Sequence, residues 1–172
     1  MQTPAIRMIA GTLAVFTALV FPANAYPQTA LETRVQELEA REQIRELMHN
    51  YGRFLDQRDF MAFAGLFLET GSEYVSGGQT VSGAAAIGKM LEGIFAANPS
   101  GLKSPNYHVF FNETIDVEGD KATAFSQSAF IVPGEDGSPS MVFFASYDDV
   151  FVVENGKWKF KRRVVHANLP AR

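Results

Sequence analysis

Leu31, Val35, Leu38, Ile44, Leu47, Met48, Tyr51 and Leu55 recur at near-helical spacing, with Glu32, Arg34, Glu37, Glu39, Arg41, Glu42 and Arg45 mostly between them. Apolar positions three and four apart share a helix face, so the pattern predicts one long amphipathic helix over residues 31–56. Glu37 and Arg41, and Glu42 and Arg45, stand at the spacing of neighbours on a solvated helix surface. Asp59 has the chemistry of an N-cap and predicts a short second helix that turns Phe60, Phe63, Ala64 and Phe67 inward. Residues 73–75 and 80–82 read as strands joined by a Gly77-Gly78 turn. Residues 84–95 predict a third helix, ending before Asn98-Pro99-Ser100-Gly101.

Beyond that point the period shortens to that of strands. Residues 107–117, 122–132, 141–154 and 158–166 are four β-type runs, separated by Glu118-Gly119-Asp120-Lys121, by a loop over 133–140, and by Glu154-Asn155-Gly156-Lys157. The Asn-Gly pair is a strong hairpin signal. Helices first and an antiparallel meander afterwards predict an α+β domain. Its curved antiparallel, partly mixed sheet wraps around the long helix as a cone with an interior pocket. One strand carries a tension. Val109, Phe111, Ile115 and Val117 make one face apolar, while His108, Phe110, Asn112, Thr114 and Asp116 share the other. Either a β-bulge re-aims His108 into the cone, or the apolar face meets a second subunit and the pocket lies on the polar side.

The first 25 residues follow another logic. Arg7 precedes an apolar stretch over 8–21, Pro22 breaks it, and Ala23-Asn24-Ala25 offers small residues for cleavage. This is the pattern of a secretory signal, too short to span a bilayer as a helix. The expected organisation is a cleaved signal at 1–25, a short lead at 26–30, one domain at 31–166 and a tail at 167–172, in a periplasmic or secreted protein. Removing 25 residues, Arg7 among them, leaves 147 residues with 14 basic and 19 acidic side chains, a net charge of −5. That mixed, mildly acidic balance argues against nucleic-acid binding and a polybasic membrane patch. With no cysteine there is no disulfide, no thiolate nucleophile and no thiolate-bound zinc. Thirteen of the 15 phenylalanines remain after cleavage and must be buried or line a pocket.

Polar residues set among packing positions are the candidates for chemistry. Tyr51 and Asp56 lie on the long helix, and His108 lies near the start of the first long strand. On the residues alone, Asp56 reads equally as an exposed residue in the last helical turn, and His108 as a structural strand histidine. Asn112 either orients a ligand or satisfies backbone. Arg162, on the face of Trp158 and Phe160, either points at a ligand oxygen or is an exposed strand-end cation. His49 falls on a different helical face from Tyr51, and His166 is close to the C-terminus. Their spacing with His108 has no metal-ligand signature, so no metal and no cofactor are expected.

The run Ile44-Arg45-Glu46-Leu47, Tyr51, Leu55-Asp56, Asp59-Phe60 and Leu66-Phe67, followed by His108 and Asn112, Gly119-Asp120-Lys121-Ala122 and Asn155-Gly156-Lys157-Trp158-Lys159-Phe160, resembles the SnoaL-like branch of the nuclear transport factor 2-like superfold. The resemblance spans essentially all of 31–166. It implies the cone, and it implies an Asp–His pair inside it, as in scytalone dehydratase, bile-acid 7α-dehydratase and hexachlorocyclohexane dehydrochlorinase. By that likeness the pair is Asp56 and His108, with Tyr51 and a second tyrosine at or next to Tyr74. The catalytic aspartate of ketosteroid isomerase would fall near Tyr74, and the second pocket histidine of scytalone dehydratase near Ser126. Neither residue is present here.

A neutral imidazole removes a proton beside a carbonyl, a carboxylate on its other nitrogen holds the tautomer, and tyrosine hydroxyls stabilise the enolate. Delivering that proton to a departing hydroxide eliminates water, and returning it to another carbon isomerises. Three functions stand open: a lyase or isomerase for a small hydrophobic carbonyl compound, a non-catalytic binding module on the same cone, and a pocketless oligomerisation domain. The apolar run Met141-Val142-Phe143-Phe144 on an open sheet favours a homodimer or homotrimer.

Overall fold

The computed structural model describes residues 28–97 and 106–168. Residues 1–27, where the signal and most of the lead are expected, together with residues 98–105 and 169–172, lie outside the described residues. Helix α1 (Gln28–Gln57) is followed by α2 (Phe60–Ala64), β1 (Glu73–Ser76), β2 (Gln79–Ser82), α3 (Ala84–Ala97), β3 (Tyr107–Glu118), β4 (Lys121–Pro133), β5 (Pro139–Glu154) and β6 (Lys157–Asn168). The six strands form one sheet in the order β2-β1-β6-β5-β4-β3. All pairs are antiparallel except β1 with β6, so the sheet is mixed and open, an α+β cone curled around α1.

Three register shifts bend the sheet and decide which side chains enter the cone. On β3, Phe111 pairs with Gln127 and Thr114 with Phe125, so Asn112 and Glu113 together oppose Ser126. This bulge places Asn112 in the left-handed region, at φ 55°. It also reverses the strand's parity: His108 and Phe110 face inward before it, Ile115 and Val117 after it. The tension seen in the sequence is resolved by the bulge. A second shift lies between Val150 and Phe151 of β5, where Lys161 of β6 is skipped. Phe160 and Arg163 therefore point inward and Arg162 outward. A third, at Phe130, sends Phe143 inward onto Phe130 with ring centroids 5.1 Å apart, while Met141 stays exposed.

The core joins Ile44, Leu47, Met48, Tyr51 and Leu55 of α1 to Phe63, Phe67, Tyr147, Phe151 and Phe160. The surplus of phenylalanine is thus spent largely on ring-to-ring packing inside the cone, as in Phe67–Phe160 at 5.0 Å and Phe151–Phe160 at 4.8 Å. One expectation fails. Leu31, Val35 and Leu38 do not extend the core stripe but are exposed. At 100° per residue they lie roughly 150° around the helix from the core residues.

Candidate active site

Asp56 sits in the last turn of α1, and the way that helix ends sets its position. Asp59 N–H donates to Phe54 C=O at 2.9 Å and Arg58 N–H to Leu55 C=O at 3.1 Å, the double closure of a Schellman cap. The left-handed position falls on Arg58 rather than glycine, at φ 61°. Its guanidinium donates to the Leu55 and Asp56 carbonyls and lies 4.4 Å over the Phe95 ring. These contacts, and the favourable placement of a cation at a helix C-terminus, offset the strain. Burial lowers the Arg58 pKa, and Asp56 opposes the shift.

The Asp56 carboxylate faces the first residues of β3. Oδ1 is 2.6 Å from His108 Nδ1 and accepts from Asn106 Nδ2 at 2.7 Å, while Oδ2 accepts from the His108 backbone N–H at 2.9 Å. Arg58 in turn holds Asn106 through its Oδ1, at 2.8 Å. An ionised carboxylate only accepts hydrogen bonds, so a neutral His108 facing it carries its hydrogen on Nδ1 and presents the Nε2 lone pair. The His108 side chain is 4% exposed and that of Asp56 18%. The His108 ring packs on Phe130 with centroids 4.6 Å apart. A cleft of about 380 Å³, lined by His49, Arg53, Gln57, Asn106 and Tyr107, reaches the pair.

The close approach of α1 to β3 depends on Gly52. A Cβ there would stand 2.9 Å from His108 Cβ and 3.0 Å from Phe110 Cε2. Glycine in mid-helix costs about 1 kcal/mol relative to alanine, and here it lets strand and helix touch.

Deeper in the cone lies a second polar group. The Tyr51 and Tyr74 hydroxyls are 2.9 Å apart, and those of Ser128 and Tyr147 also 2.9 Å. Arg163 pairs in register with Tyr74 on one side and Asp149 on the other, and donates two hydrogen bonds to the Asp149 carboxylate at 2.8 and 2.7 Å. Its guanidinium is sandwiched 4.0 Å from the Tyr51 ring, 4.4 Å from Tyr147 and 4.3 Å from Phe160. Burial works against the Arg163 charge, but Asp149 and the flanking tyrosines outweigh it and hold the group above its ordinary range. Burial pushes Tyr51 well above its usual value and Tyr74 up to about 12.

Asp56 and His108 are therefore one contact pair, Tyr51 and Tyr74 another, with Phe110 edge-on to Tyr51 at 6.1 Å. The other two candidates lie elsewhere. Asn112 is exposed at the bulge, donating to Gln127 Oε1 at 2.7 Å. Arg162 is outside the cone, 3.2 Å from Glu73, because the β5–β6 bulge exchanges its face with that of Arg163. Asn106, Arg58, Gly52 and the Asp149–Arg163 pair were missed from sequence. Only Gly52 carried a signal, as an isolated glycine in a helical pattern.

A SnoaL-like domain model matches residues 36–164. The chain belongs to the SnoaL-like domain family. It is similar to an NTF2-like protein with a cystatin-like fold from Novosphingobium aromaticivorans, at 29% identity and TM-score 0.73, over 83% of this chain and 90% of that one. It is also similar to a candidate scytalone dehydratase from Novosphingobium aromaticivorans DSM 12444, at 28% identity and TM-score 0.63, over 80% and 89% of the two chains. A type 3 hexachlorocyclohexane dehydrochlorinase from Novosphingobium barchaimii LL02 shares the fold, at 18% identity and TM-score 0.65, over 78% and 90%. No curated protein matches. This SnoaL-like domain thus has among its relatives a dehydratase candidate and structures without an assigned reaction.

Proposed function

We propose that this SnoaL-like protein is an exported, cofactor-independent lyase or isomerase that removes a proton beside the carbonyl of a small hydrophobic hydroxy-carbonyl compound. The observation that carries the reading is the part-buried contact of 2.6 Å between Asp56 Oδ1 and His108 Nδ1. His108 Nε2 takes the proton, and the Asp56 carboxylate stabilises the imidazolium that forms. Tyr51 and Tyr74 stay protonated far above neutral pH. One hydroxyl donates within the pair, which leaves the other hydrogen for the oxygen where enolate charge develops. The imidazolium then passes its proton to a departing hydroxide, giving water and a conjugated double bond, or to another carbon, giving an isomer. The dehydratase candidate at 28% identity supports the elimination branch.

The test is a panel of hydroxylated ketones in deuterated buffer, followed by NMR for exchange at the carbon beside the carbonyl and by absorbance for the conjugated product. Wild type should exchange and turn over, whereas His108→Ala and Asp56→Asn should bind, by thermal shift, with turnover down by ~10³ or more. Binding by all three proteins with turnover by none would instead establish a binding module. Export predicts that the mature chain begins at Tyr26, which intact mass of the secreted protein checks. A second copy packing on the outer sheet face at Tyr107, Val109, Phe125 and Met141 accounts for their exposure. Met141→Glu should then lower the mass seen by light scattering.

A further inference from the structure

Leu31, Val35 and Leu38 are 60%, 44% and 62% exposed on the N-terminal turns of α1. Their spacing of four and three residues makes a straight seam, on a face that the core does not use. Taking Val35 as heptad position a and Leu31 and Leu38 as d places Glu32 and Glu39 at e and Arg34 and Arg41 at g. Two features of this register point to one occupant. Among parallel coiled coils, a β-branched residue at a with leucine at d favours two strands. In that arrangement a g residue meets the e residue five places on in the partner, which sets Arg34 against Glu39 and Arg41 against Glu46, opposite charges in both cases. An antiparallel pair would instead set e against e and g against g, acid on acid and base on base, which is repulsive.

We infer that the N-terminal turns of α1 are an interaction surface for the same segment of a second copy, pairing as a short parallel coiled coil. The seam is bounded. The next a position is Glu42, which would face its own copy and is held by Arg45 within its own helix, so the helices part there, where α1 enters the cone. Arg41 also donates to the Ile115 carbonyl at 3.3 Å, at the same boundary. The helix is continuous with the packed part of α1, so the usual cost of nucleating a short coiled-coil strand is already met by the domain. Fewer than two heptads bury little surface, so the pair exchanges with monomer. This contact is separate from the outer sheet face and does not depend on the proposed chemistry.

The absence of native cysteine makes the test direct. Single variants Leu31→Cys, Val35→Cys and Leu38→Cys of the mature chain are oxidised and run on non-reducing gels, with Gln36→Cys, on another face, as the background. In a parallel pair each seam residue faces its own copy, so each variant alone should cross-link at least five-fold above Gln36→Cys. In the Val35→Cys background, Arg34→Glu and Glu39→Arg should each reduce the yield, and the two together should restore it. Yields at background, or cross-linking that needs Leu31→Cys mixed with Leu38→Cys, would overturn the inference. These positions are exposed, so circular dichroism should show unchanged folding in every variant.

Discussion

Replacing Gly52 by alanine sets two helix effects against each other. Intrinsic propensity favours alanine by about 1 kcal/mol in a helix interior. The added methyl, however, would stand 2.9 Å from His108 Cβ and 3.0 Å from Phe110 Cε2, where carbon atoms rest at about 3.5–4.0 Å. The neighbours are a strand residue at its Cβ and a packed ring, neither free to swing away, so α1 and β3 must separate by roughly 0.6–1 Å. Overpacking of this kind costs about 1–3 kcal/mol. The expected outcome is a net loss of up to about 2 kcal/mol, in place of the gain that propensity alone would give. The same movement stretches the Asp56–His108 contact from 2.6 Å toward the limit of a good hydrogen bond. Gly93 in α3 is the matched control, because a Cβ there meets nothing within 4 Å. Gly93→Ala should gain about 1 kcal/mol from propensity alone. Urea denaturation measures both variants, and the ring N–H resonance of His108 reports the contact. If Gly52→Ala gains stability as Gly93→Ala does, with the His108 resonance unmoved, the close approach of α1 to β3 is not what holds the pair.

Other outcomes follow from the buried polar group. Arg163→Met should cost about 3–5 kcal/mol by leaving Asp149 buried without its partner, whereas adding Asp149→Leu should recover part of that loss; a double-mutant cycle in urea checks it. Arg162→Ala, which breaks only an exposed pair with Glu73, should cost less than about 1 kcal/mol in the same assay. The raised tyrosines make stability fall in alkali. Tyr74 ionises near pH 10 when unfolded but only at about 12 when folded. The unfolded state thus binds fewer protons between those values, and stability drops through that window by about 1.4 kcal/mol per pH unit for this group alone. Tyr74→Phe should flatten the slope in urea melts taken from pH 9 to 12. Arg58→Gly should keep the α1 cap, since glycine accepts φ 61° without strain, yet loosen Asn106 and lower any turnover found for the wild type.

Helix and strand identities were legible because each rests on local periodicity and turn chemistry. Asp59 caps α2 by accepting from the Ala62 N–H at 2.9 Å, as its position suggested, and Gly77-Gly78 turns β1 into β2. Asp56 and His108 were legible only by family likeness, since neither carries a local signal that separates it from an ordinary turn or strand residue. The outward placement of Asn112 and Arg162 and the inward placement of His108 share one cause. Alternation along a strand assigns faces by counting in twos, and a single inserted residue reverses every face beyond it. The β3 bulge at Asn112–Glu113 brings His108 inward along with Ile115 and Val117, and the β6 bulge at Lys161 sends Arg162 out and Arg163 in. The stripe on α1 misleads for a related reason. The six-residue step from Leu38 to Ile44 turns the helix by about 240°, so Leu31, Val35 and Leu38 lie on a face of their own that a stripe read only as near-helical overlooks.

The order of elements, the α+β class and the amphipathic face of the long helix from Ile44 onward are thus properties of the sequence itself, because they depend on interactions between residues a few positions apart. The tertiary structure decided the rest. Bulges are set by the bending of a sheet around a helix, and the contacts of Asp56 with His108, Tyr51 with Tyr74 and Asp149 with Arg163 join residues 14 to 52 positions apart. Whether such residues meet depends on accumulated register, and no local pattern along the chain records it.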